Sequence, residues 1–168
     1  MKRKLIICSD AKSDHFWKDG NELYKDVIHN CDEDAYAYND KLNRVYISDS
    51  VTEIAAGVCR GCKNLEEVFI SKNVRKVSPF SFRDCPRLKK ICVDRNNEKL
   101  ASVNGVLFDK KVETLLKAPT TIKKCVIPHG VTSIGDYAFW GCSSLHYAPK
   151  YFEGITNQLN FLVSILNS

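Results

Sequence analysis

Long hydrophobic runs are missing from this 168-residue chain. The longest, Leu5 to Cys8 and the stretch from Ile54 to Cys59 that Gly57 interrupts, fall far short of the roughly 18 residues a membrane helix needs. No membrane span is expected. Glycine and proline are sparse, at 8 and 5, which excludes collagen-like and low-complexity chains. A hydrophobic share of 44% with 27% charged residues excludes disorder and fits one packed domain. An export signal is lacking as well. Met1-Lys2-Arg3-Lys4 has the basic start of one, but Ser9-Asp10 arrives well before the about 7–15 apolar residues a signal needs. The expectation for the chain as written is therefore a cytoplasmic one.

The chemistry of catalysis is equally thin. No G-x-S-x-G, Walker loop or dinucleotide fingerprint occurs, and no His-carboxylate-nucleophile set clusters. No enzyme and no cofactor are expected. His15, His29, His129 and His146 show no metal-ligand spacing, and the acidic turn Asp32-Glu33-Asp34 reads as solvated. Charge of one sign does not dominate either, since 25 Lys and Arg face 20 Asp and Glu for a net +5. A nucleic-acid partner is not implied. The charge is unevenly placed, however. Residues 9–40 carry nine acids and three bases, whereas 72–90 carry Lys72, Arg75, Lys76, Arg83, Arg87, Lys89 and Lys90 against Asp84 alone. Solvated faces explain this pattern; polyanion binding by the 72–90 block is kept as an alternative.

What is present is a repeat. Leu42, Leu65 and Leu88 are spaced by 23, and Ile122 and Leu145 resume that spacing after an insertion of 11. Val45, Val68, Ile91 and Cys125 follow three residues on, and Ile47, Ile70, Val93 and Ile127 five on. Such alternation is a short strand with one buried face. Val51 with Ile54, Val74 with Val77, and Val131 with Ile134 mark a second brief strand. Val58-Cys59, Ser81-Phe82 and Ala138-Phe139, then Cys62, Cys85 and Cys142, form a turn. Run backwards, the frame places Tyr24, Ile28, Cys31, Ala35, Tyr36 and Asn39 in the same columns. Stacked coils share a core that no single coil could bury.

The array is expected over 22–150. Between Val93 and Ile122, Asn104-Gly105 and Asp109-Lys110-Lys111 punctuate apolar runs, which predicts an antiparallel hairpin island at about 97–118. Residues 1–21 are expected to form an N-terminal cap segment. Ile155, Leu159, Leu162, Val163 and Leu166 recur at helical spacing, so 151–168 reads as a C-terminal helical cap or the remnant of a longer array.

The segment IPHGVTSIGDYAFWGCSSL (Ile127 to Leu145) resembles the repeat of the BspA-like, or Treponema pallidum type, leucine-rich repeat family. The insertion SVNGVLFDKKVETLLKAP resembles the island such proteins often carry. This chain departs from the family pattern where Cys59 replaces the usual Phe and Ser78-Pro79 replace Gly-Asp. The resemblance implies a right-handed leucine-rich solenoid of short parallel strands with few helices. It also implies an adhesin-like protein at the cell surface or secreted, binding a host matrix or surface protein, with no catalytic residues to carry over.

Six of the eight cysteines (Cys31, Cys59, Cys62, Cys85, Cys125, Cys142) occupy inward columns, leaving Cys8 and Cys92 outside. Buried Cys acts as a small hydrophobe, so a reduced set of eight thiols is expected. Cys59-Arg60-Gly61-Cys62 has C-x-x-C spacing without the βαβ context that gives it meaning, and a thiol redox role for Cys59 and Cys62 is the remaining alternative. Residues flanking the buried strand positions point outward. They give Arg44, Glu67, Lys90, Lys124 and Tyr147 in one column and Tyr46, Phe69, Cys92 and Val126 in the next. The expected function is a non-enzymatic, monomeric protein-binding module using this strand face, with Arg44, Tyr46, Phe69, Lys90, Lys124, Val126 and Tyr147 as contact residues, because Tyr, Phe and Arg suit binding hot spots.

Overall fold

A computed structural model describes residues 26–145; the expected cap segments at 1–21 and 151–168 lie outside that range. The chain forms a β-solenoid, and no helix occurs among the described residues. One sheet is built from β1 (Asp26–Ile28), β2 (Arg44–Ile47), β4 (Glu67–Ile70) and β6 (Lys90–Val93), all parallel, in that order. The register is the sequence period itself: Val45 faces Val68, which faces Ile91, and Ile47 faces Ile70, which faces Val93. A second parallel pair joins β3 (Glu53–Ile54) to β5 (Lys76–Val77). The third side of each coil is a turn whose N–H groups donate to the next coil. Tyr36 N–H meets Val58 O at 2.9 Å, and Cys59 N–H meets Ser81 O at 2.9 Å.

Leu42, Leu65, Leu88, Val45, Val68 and Ile91 share one core. Each fully buried Leu contributes on the order of 1.5–3 kcal/mol relative to exposure. Buried polar side chains satisfy the corners between strands. Ser71 Oγ donates to Ser48 O at 2.9 Å, and Asn97 Nδ2 donates to Ser71 O and Val74 O at 2.8 Å each. Asn97 Oδ1 then accepts from the Leu100 N–H, which launches the island.

The island is larger than a hairpin. β7 (Leu100–Val103) and β8 (Val106–Asp109) pair antiparallel around Asn104-Gly105, whose φ values of 53° and 79° are those of a type I′ turn. β9 (Thr114–Lys117) adds antiparallel to β8, and β10 (Ser133–Ile134) adds parallel to β9. β9 thus supplies the second short strand of the coil that begins at Leu88.

The island also ends the main sheet. The free edge of β6 is taken by Gly105 O, which accepts from Ile91 N–H at 2.9 Å, and by Ser102 Oγ, which accepts from Val93 N–H at 3.0 Å. The stretch around Lys124–Ile127, expected to extend that sheet, adds no strand to it. Ile122, expected to continue the core column of Leu88, packs instead against a second core built on Phe108, Leu115, Cys125, Ile134, Phe139 and Leu145.

Candidate functional site

The expected strand face is only partly open. Tyr46 stacks on Phe69 with ring centroids 5.3 Å apart and an interplanar angle of 11°, so this cross-strand pair sits where the frame placed it. Phe69 is nevertheless 1% exposed, and Cys92 and Glu67 are buried. Phe69 is therefore not the surface contact expected of it, since it lies in the ladder between Tyr46 and Cys92. Tyr46 remains half-buried, with its hydroxyl 3.3 Å from Asp49 Oδ1. Arg44 Nε lies 3.7 Å from the Glu67 carboxylate, and Lys90 is Glu67's other ladder neighbour. Val126 is 65% exposed and Lys124 is exposed. Both lie beyond the island and off the main sheet, because β6 has no free edge to pass the column on. Tyr147 falls outside the described residues.

The basic block is locally compensated. Lys72 pairs with Asp49 at 3.3 Å, Lys76 with Glu53 at 2.9 Å and Lys89 with Glu66 at 2.9 Å, each partner standing 23 residues earlier in the preceding coil. Lys63 with Asp40 and Arg44 with Glu67 repeat the pattern. Exposed pairs of this kind contribute about 0–1 kcal/mol each; their larger effect is to leave few uncompensated charges for a polyanion. Opposite charges one period apart were a readable signal of this.

The turn side carries the residues that column reasoning missed. Tyr38, Tyr137 and Trp140 are 66%, 49% and 38% exposed. Tyr137 packs on Phe80 at 4.6 Å and on Trp140 at 5.7 Å, the latter edge to face. The Arg60 guanidinium lies 5.3 Å over the Tyr38 ring, and that of Arg83 5.8 Å over Trp140. Arg60 also donates to Asp34 at 2.8 Å and Arg83 to Asp84 at 3.0 Å. Rings and guanidinium groups thus alternate along a ridge.

Two of these tyrosines stand in left-handed backbone. Tyr38, at φ 59°, shares a column with Gly61 (69°), Asp84 (58°) and Gly141 (79°), while Tyr137, at 56°, shares one with Asp34 (55°), Gly57 (70°) and Phe80. Glycine adopts this region freely, whereas an L side chain is disfavoured there by roughly 1–2 kcal/mol. A tyrosine at a glycine column was legible in the sequence.

The core holds buried thiols, of which Cys62, Cys85 and Cys142 share one column and Cys31, Cys59 and Cys125 stand in others. Cys31, Cys59, Cys62, Cys85, Cys125 and Cys142 are free and buried. Burial raises the pKa of Cys31, Cys85 and Cys142 to about 12 and that of Cys125 to about 11. Cys59 and Cys62 share a thiol–thiol hydrogen bond, which lowers Cys62 and, with burial, raises Cys59 well above its ordinary value. Cys92 is disulfide-bonded, which corrects the expectation of eight free thiols. Among the described residues no His, Cys, Asp or Glu group could hold a metal.

Lys117 is buried inside the array, with its ammonium donating to Tyr137 O at 3.2 Å and Trp140 O at 3.3 Å. Burial lowers its proton affinity. The equivalent carbonyls one coil earlier, Phe80 O and Arg83 O, accept from Gly57 and Gly61 N–H. The lysine therefore stands in for two backbone donors that the interrupted coil lacks.

The model of the BspA type leucine-rich repeat region matches residues 23–104 and 110–156 in 6 copies. No curated protein matches the chain. Among solved structures, the pneumococcal vaccine antigen PcpA is similar at 22% identity and a TM-score of 0.48, over 59% of this chain and 31% of that one. A leucine-rich cell surface protein of Faecalibacterium prausnitzii is similar at 22% identity and TM-score 0.49, over 67% and 36% of the two chains. A leucine-rich repeat protein of Eubacterium ventriosum is similar at 18% identity and TM-score 0.44, over 62% and 42%. The chain thus spans well under half the length of each of these structures. No described helix is long and apolar enough to cross a membrane.

Proposed function

Because the chain belongs to the BspA type leucine-rich repeat family, we propose that it is a non-enzymatic protein-interaction module whose partner docks on the ring-and-guanidinium ridge of the turn side. One observation carries the choice of surface. Tyr38 holds an exposed ring in left-handed backbone where the next coil uses Gly61, and Tyr137 holds an exposed ring in the same backbone conformation; strain of this kind concentrates at ligand-contacting positions. Tyr, Trp and Arg are also the side chains that dominate protein interfaces. An adhesin-like role, with a host matrix or surface protein as the partner, follows from the family resemblance.

The strand face supports a second reading through Arg44, Tyr46 and Lys90, which keep some exposure. Capture of purified matrix proteins by the immobilised chain separates the two. Loss of capture in Tyr137→Ala and Trp140→Ala, with Tyr46→Ala unaffected, supports the ridge. The converse result transfers the site to the strand face, and capture indifferent to all three substitutions refutes both. A hot-spot interface should also weaken only modestly with salt, whereas polyanion binding through 72–90 would fall steeply.

A further inference from the structure

The turn at residues 58–62 holds two thiols where the other described turns hold one or none. The aromatic column that runs Tyr36, Phe82 and Phe139 is interrupted at Cys59, and Cys62 follows in the column of Asn39, Cys85 and Cys142. The two cysteines are the first and fourth residues of one β-turn, closed by Cys62 N–H donating to Cys59 O at 3.3 Å, with Gly61 at φ 69° in the third position. Such a turn brings its end Cα atoms within about 7 Å, which overlaps the range of about 4.4–6.8 Å that a disulfide spans. Both side chains are fully buried in the same core, where Cys62 Sγ donates to Tyr36 O at 3.2 Å and Cys85 Sγ donates to the Cys59 carbonyl at 2.9 Å. Between the two thiols stands Arg60, half-buried, stacked on Tyr38 and paired with Asp34. The pair is therefore buried one side chain beneath the surface.

We propose that Cys59 and Cys62 form an oxidisable dithiol, a modification site at which a low-molecular-weight disulfide closes an intramolecular bridge across this turn. The chemistry is ordinary exchange. The Cys62 thiolate attacks the small disulfide and expels one thiolate, leaving a mixed disulfide on Cys62. Cys59 gives its proton to the expelled thiolate and attacks the Cys62 sulfur, releasing the second small thiol. Two protons and two electrons pass to the oxidant, the proton shed by Cys62 returning through solvent to the second thiolate, and the oxidant leaves as two thiols. The greater acidity of Cys62 fits its place as the attacking group and Cys59 as the resolving one. Because both sulfurs are buried, exchange requires the turn to open, and the bridge then tethers the segment that presents Arg60 to the ridge.

The test is to hold the folded full-length chain with glutathione disulfide at mildly alkaline pH, denature, alkylate and digest it, and weigh the peptides. The expected result is a peptide containing residues 59–62 that is lighter by two hydrogens and unalkylated at both cysteines, with Cys85 still alkylated. Cys62→Ser should abolish the bridge. Cys59→Phe, which restores the residue type of the neighbouring coils, should fold and also lack it. Recovery of both cysteines alkylated from the treated wild type, or a bridge from either of them to Cys85, overturns the proposal.

Discussion

Raising the pH should unfold this protein through its buried thiols. Cys31, Cys85 and Cys142 are held at about 12 and Cys125 at about 11, against 9.0 for an unperturbed thiol. Between those limits the unfolded chain has released protons that the folded chain still holds. Stability contributed by the raised values is thus fully present below pH 9.0 and is lost as pH climbs toward 11–12. Each thiol costs about 1.4 kcal/mol per pH unit in that window, so four of them remove roughly 8 kcal/mol by about pH 10.5. That is comparable to the whole stability of a domain, about 5–15 kcal/mol. Lys117 opposes the trend, because its depressed proton affinity makes stability rise as it loses its charge below 10.5, but it is one group against five, since Cys59 is raised as well. Urea melts at half-unit steps from pH 8 to about 10.5 should show the midpoint falling steeply above pH 9, with Cys125→Ala shallower by about 1.4 kcal/mol per unit. A midpoint that stays flat across that range would refute the reasoning.

Leu65→Ala should cost about 2–5 kcal/mol in the same melts, and a neutral result would remove Leu65 from the core. Tyr38→Gly should be more stable than Tyr38→Ala by about 0.5–1 kcal/mol, because both lose the ring but only alanine keeps a Cβ in left-handed backbone; the reverse order would deny strain at that site. Lys117→Met should destabilise by about 1–3 kcal/mol through the lost bond to Trp140 O, since Tyr137 O keeps the Trp140 N–H, and a stabilising outcome would mean that the burial cost of the ammonium outweighs its hydrogen bonds.

The 23-residue period was enough to read the strand register, because each inward column is apolar and a slip by one residue would turn the buried set outward. It placed Arg44, Glu67 and Lys90, and Tyr46, Phe69 and Cys92, in their true ladders. What it could not say is whether an outward column stays open: Phe69 points away from the solenoid core yet is buried. Periodicity reports which side of a coil a residue takes, and nothing about what covers that side. Lys124 and Val126 were placed by carrying the columns across the insertion, which assumes the sheet continues. Backbone hydrogen bonds at the β6 edge decided otherwise, and those bonds leave no mark in residue type except at Gly105 and Ser102. Part of the ridge was more accessible than its omission suggests, since Tyr38 in a column with Gly61 and Gly141 is a visible anomaly.

Lys117 shows why an insertion of this length can sit inside the array without unravelling it. A solenoid coil is held to its neighbour by the strand, the second strand and the turn, and the island disturbs all of them. The strand edge is answered by Gly105 O and Ser102 Oγ, and the second strand by β9 pairing with β10. In the turn, Ala118 N–H reaches Ala138 O at 2.8 Å, as Cys59 N–H reaches Ser81 O in the regular coil. Of the two carbonyls on either side, Tyr137 O would keep only the Trp140 N–H at 3.0 Å, and Trp140 O would lose the donor that its counterpart Arg83 O has in Gly61 N–H, a loss costing about 1–3 kcal/mol. A single ammonium, with three N–H bonds on a flexible stem, reaches both where the shortened backbone cannot. The buried charge is therefore explained by geometry rather than by catalysis, and it is the position at which a hydrophobic substitution of similar size should fail.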